Sequence, residues 1–66
     1  MAPETRQFVE FMRSEIRRQM NDYADDVAGG ACPSYDAYKE LCGVIRGLAI
    51  TERLLLDLAE KAEKDD

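Results

Sequence analysis

The sequence predicts an all-α fold: an antiparallel two-helix hairpin that is completed by oligomerisation or by packing on a partner. Two long stretches, about residues 3–28 and 35–64, repeat their apolar residues at helical spacing. A short segment rich in glycine, residues 29–34, separates them. The second stretch is apolar around more of its circumference than one neighbouring helix can cover.

In the first stretch Phe8, Met12, Ile16, Met20, Tyr23 and Val27 step by four, four, four, three and four residues. At about 100° per residue they share one stripe roughly 120° wide. Val9 lies at its edge. Pro3 suits a first helical turn, where its missing N–H is not needed. Glu4 favours the positive end of the helix dipole. Arg6, Arg13 and Arg17 are expected on the far, solvent side.

The connection reads "AGGACPS". Gly29-Gly30 is a helix stop, with glycine free to take the left-handed conformation. Pro33 discourages helix at Cys32, and Ser34 is an N-cap for a second helix with Asp36 in its first turn. So short a turn makes the two helices antiparallel neighbours.

In the second stretch Tyr38, Leu41, Cys42, Ile45, Leu48, Ala49, Leu55, Leu56 and Ala59 share the face directed at the first helix. Folding about the loop centre brings Leu41 near Met20 and Asp22, and Leu55 near Phe8. The closing run "EKAEKDD" is expected to fray. Glu52 falls by angle within the inward face. A buried carboxylate must be paired or hydrogen-bonded. Glu52 either reaches water at the edge of the core, pairs with an arginine of the first helix or of another subunit, or acts as an acid in catalysis.

Gly43, Gly47, Ile50, Leu54 and Leu58 form another stripe, roughly 150° from the first. On a lone hairpin this stripe faces water, as an apolar patch of the kind that marks an interaction surface. The two glycines cost about 2 kcal/mol of helix propensity. At this G-x-x-x-G spacing they open a groove that another backbone or a large side chain can enter. The alternatives are a kink or simple tolerance. Phe11 extends the same surface or is an ordinary exposed aromatic. The protein interface expected from these residues is Phe11, Gly43, Gly47, Ile50, Leu54 and Leu58.

Size and composition narrow the functional classes. A domain near 60 residues buries only about 60% of its unfolded surface, and such scaffolds need a disulfide, a metal or association. There is no histidine, and two cysteines do not close a zinc site. The charged N-terminus lacks the apolar core of a signal peptide, which points to a reducing, cytoplasmic compartment. Association remains. The net charge of −5 and pI of about 4.6 argue against a nucleic-acid partner, and no apolar run approaches the roughly 20 residues that span a bilayer.

Chemistry is hard to find. Cys32 and Cys42 are ten residues apart, not C-x-x-C, and are expected to stay as thiols. "NDYADD" lacks the glycine and glutamate of a calcium loop. The double glycine is not followed by the lysine and serine or threonine of a phosphate loop. No catalytic, cofactor-binding or metal-binding residue is expected, and no small-molecule substrate.

Within "YKELCGVIRGLAITERLLLDL", residues 38–58, Tyr38, Leu41, Gly43, Ile45, Gly47 and Leu48 form a Tyr-x-x-Leu-x-Gly-x-Ile-x-Gly-Leu pattern. It resembles small two-helix proteins encoded among the structural genes of tailed bacteriophages. The resemblance implies a non-enzymatic component of a virion, at the head or head–tail junction. Its partners would be capsid, portal or connector proteins, and its location the host cytoplasm and the virion. The alternative is a small cytosolic regulator or adaptor, a four-helix homodimer that binds a partner protein.

Overall fold

A computed structural model describes residues 1–64, which form two helices, α1 (Pro3–Ala28) and α2 (Tyr35–Lys64), packed on each other as an antiparallel hairpin. Both helices keep the bounds expected from periodicity. At the start of α1, Ala2 is extended and its carbonyl accepts the Arg6 N–H at 3.0 Å, with Pro3 in the first turn. No side chain caps this end.

The other end of α1 is closed by backbone bonds. Gly30 N–H donates to Val27 at 3.2 Å, and Ala31 N–H donates to Asp26 at 3.0 Å. This is the paired bonding of a Schellman motif. It places Gly30 in the left-handed region, φ 79°, which a side chain would strain. The preceding Gly29 stays right-handed. Four residues after Gly30, Ser34 caps α2: its Oγ accepts the Ala37 N–H at 3.1 Å. The helix then continues unbroken through Gly43 and Gly47 to Lys64, which pairs with Glu60 at 3.3 Å. Of the run expected to fray, residues 60–64 are thus helical, and residues 65–66 lie outside the described range.

The core is a single seam. Ile16, 7% exposed, is the one apolar residue of the described chain that is buried. Met12, Met20, Tyr23 and Val27 flank it half-buried on α1, and Leu41, Ile45, Leu48 and Leu55 do so on α2.

Six residues lie elsewhere than their sequence pattern predicts. Phe8 is 62% exposed, and the half-buried residue at that end of α1 is Val9. Each four-residue step drifts by about 40°, so the run from Met20 back to Phe8 rotates off the seam, and a three-residue step from Met12 to Val9 restores it. Tyr38 and Ala49, assigned to the inward face, are exposed. The arginines of α1 also differ from expectation. Arg6, Arg13 and Arg17 lie on the flank of the seam, within about 100° of Ile16, and all three reach α2.

The hairpin measures 49 × 15 × 10 Å and exposes 5179 Å². A compact monomer of 7.5 kDa would expose about 4,200 Å². No helix among the described residues is long and apolar enough to cross a membrane.

Candidate docking surface

The inward face of α2 contains its one buried charge. Glu52 is 7% exposed, and α1 brings Arg17 against it. Arg17 Nε donates to Oε2 at 2.6 Å and Nη2 donates to Oε1 at 2.9 Å, a bidentate pair. Arg13 Nε stands 3.7 Å from the same Oε2. No buried side-chain polar atom among the described residues is left without a partner. Glu52 is therefore a structural ion pair with both oxygens engaged, formed within one chain. A second bridge, Arg6–Glu63 at 3.2 Å, joins the helices nearer their other ends and is exposed.

The opposite face of α2 is apolar and open. Ile50 is 62% exposed, and Leu54 and Leu58 are each 57% exposed. Gly43 and Gly47 are in the same stripe, and a Cβ built on either would meet nothing within 4 Å. Neither has a positive φ. The hairpin itself thus gives no reason for glycine at these two positions. Thr51 Oγ1 donates to the Gly47 carbonyl at 2.8 Å and so covers the backbone acceptor on this side.

The sixth residue expected in the interface, Phe11, is also 62% exposed but is not brought to the stripe. It lies about 140° round α1 from Ile16, on the back of α1, while Ile50 and Leu54 lie on the back of α2. Phe8, about 80° from Ile16, is on the flank away from the arginines. It is the aromatic nearer to the edge of α2 that carries Leu58.

Two arginines missed by the apolar pattern border the open face. Arg46 and Arg53 line a shallow groove of about 590 Å³ with Ile50, Leu56 and Asp57. Neither makes an ion pair or hydrogen bond among the described residues. Elsewhere arginine is engaged: Arg18 holds Glu15 at 2.7 Å and Asp22 at 3.4 Å. The Arg18 guanidinium keeps the Glu15 carboxyl below the usual carboxylate range. The signal for Arg46 and Arg53 was their seven-residue spacing, which returns a helical residue to the same edge.

Near the loop, Cys32 and Cys42 are free thiols, each half-buried. The Cys42 thiol next to Tyr38 pushes the tyrosine hydroxyl above its ordinary value. Tyr38 stacks with Tyr35 at 6.2 Å between ring centroids, and Lys39 Nζ stands 5.7 Å from the Tyr35 ring. Among the described residues no three histidine, cysteine, aspartate or glutamate side chains are grouped to hold a metal ion. The outstanding surface feature is an apolar helix face bordered by Arg46 and Arg53, which have no ionic partner among the described residues. No protein-family model matches the chain, and no curated protein or solved structure matches it significantly.

Proposed function

We propose that the protein is a non-enzymatic structural or accessory element that docks on a larger assembly through the outer face of α2. The observation that carries this reading is the open stripe of Ile50, Leu54 and Leu58 beside two glycines for which the hairpin has no use. The surface area points the same way. The chain exposes roughly 1,000 Å² more than a compact protein of its mass, of the order that one partner contributes to a standard interface. The sequence resemblance over residues 38–58 supplies the setting, a bacteriophage virion at the head or head–tail connector, with capsid, portal or connector proteins as partners.

The second reading is a four-helix homodimer acting as a regulator or adaptor. Size complementarity favours it: in an antiparallel pair of α2 helices Gly47 can receive Ile50 of the second copy, and Gly43 can receive Leu54.

Light scattering at micromolar concentration separates the two readings. A virion element without its neighbours is monomeric or polydisperse, whereas the homodimer is a discrete species. Gly47→Leu tests the surface itself. It fills the groove, so association falls while the helicity of the isolated chain rises. Unchanged association would remove the outer face of α2 from the function.

A further inference from the structure

We infer that the outer face of α2 receives a helix of another protein with acidic residues along its edges, rather than a second copy of this chain. The inference rests on the docking role proposed above and identifies the chemistry of the partner.

The open stripe has one basic edge. Lys39, Arg46 and Arg53 follow one another at seven-residue intervals, so they lie in a row along α2, about 80° from the middle of the stripe. This is the position from which edge charges in paired helices select a partner. Arg46 and Arg53 have no ionic partner among the described residues, although two carboxylates line the same groove: Glu52, which is held by Arg17, and Asp57, one turn beyond Arg53. At the C-terminal end of this edge Glu60 is already paired with Lys64.

A second copy does not satisfy this edge. Packed antiparallel with Gly47 against Ile50 and Gly43 against Leu54, the edge meets itself reversed. Arg46 then lies against Arg53 of the second copy, twice, and only the ends of the row, Lys39 and Glu60, meet an opposite charge. Packed parallel and in register, the edge meets Val44, Thr51 and Leu58 of the second copy, none of which is charged. Sliding the second copy until its Glu60 reaches Arg53 withdraws it from Gly43, Gly47 and Arg46. An acidic amphipathic helix satisfies all three features together: large apolar residues enter the glycine groove, leucines cover Ile50 and Leu54, and carboxylates reach the two arginines. Arginine suits that task because its fork accepts a carboxylate bidentately.

The test uses two synthetic amphipathic helical peptides with identical leucine stripes, one with glutamates along both edges and the other with lysines. Glutamates on both edges present acid to Arg46 and Arg53 in either orientation. Binding to the intact chain is followed by fluorescence anisotropy, with the oligomeric state followed by light scattering. On net charge alone this −5 chain would prefer the lysine peptide. The local edge predicts the reverse: the glutamate peptide binds about tenfold more tightly at low salt. That preference shrinks at high salt and inverts in the R46E/R53E double variant, whose exposed substitutions leave the helical signal unchanged.

Equal binding of both peptides, or preference for lysine, overturns the acidic partner while leaving the docking role intact. A discrete dimer that Gly47→Leu disperses overturns it in favour of a second copy. Failure of either peptide to bind a monomeric chain overturns both the acidic partner and the docking role.

Discussion

The two faces of α2 invert the usual allotment of residues. The face turned to α1 encloses a carboxylate, Glu52, and the face turned to water displays Ile50, Leu54 and Leu58. On the inner side the charge is tolerable because Arg17 meets both oxygens, offsetting the desolvation that a buried charge incurs. The outer leucines have no such local explanation. Under the docking role proposed above, the apolar content of α2 is distributed for two neighbours, of which α1 is one.

Substitutions at matched positions can break this contrast. Ile16→Ala should have the largest effect, about 2–4 kcal/mol, from lost burial and the cavity left in the seam. Ile50→Ala removes the same atoms from the open face and should change the stability of the isolated chain by less than about 0.5 kcal/mol. Thermal unfolding followed by circular dichroism measures both, and a large loss at Ile50 would show that the outer face is already covered. Arg17→Ala comes next. It leaves Glu52 buried with only Arg13 at 3.7 Å and should cost about 1–3 kcal/mol. Glu52→Leu removes the charge together with its need for a partner and should be neutral or stabilising. Urea midpoints of the two variants decide whether the ion pair sets register or supplies net stability.

Smaller effects sharpen the outer side. Gly47→Ala meets open space and should stabilise the isolated hairpin by about 0.8–1 kcal/mol; a loss in urea unfolding would mean that the groove is filled within the monomer. The smallest effect is at Glu15, a partly exposed residue whose carboxyl Arg18 holds below its ordinary value. Its contribution is present above the unfolded-state value and disappears as pH falls through the lower folded-state value. Arg18→Ala should therefore flatten a shallow acid limb in the helicity profile. An unchanged limb would assign it to other carboxylates.

Much of the fold was legible because its signals are local. Gly29, Gly30, Pro33 and Ser34 mark the turn through backbone constraints that need no tertiary context, and the structure uses Gly30 and Ser34 in those roles. Phe8 was misplaced because a stripe of four-residue steps drifts, so its far end leaves the seam. Arg17 was placed in solvent because periodicity classifies residues by polarity, while a long side chain on a flank can cross to the neighbouring helix. The angle of Glu52 put it on the inward face but left open whether it reached water or took a partner; the choice, and which arginine serves, depends on how the helices pack. The unpaired state of Arg46 and Arg53 was illegible for the same reason, since it is known only once α1 has taken its place.

The narrowness of the hairpin, 10 Å in its smallest dimension, has a consequence for how its folding and its association are linked. With one seam and no layer behind it, neither helix can open while the other keeps its apolar contacts. Opening is then a shared event. A ligand bound only to α2 would slow amide exchange along α1 as well, because it lowers the population of the one open state available to both. Occupancy of the outer face would thus be readable from protection at Ile16, on a helix the ligand never touches.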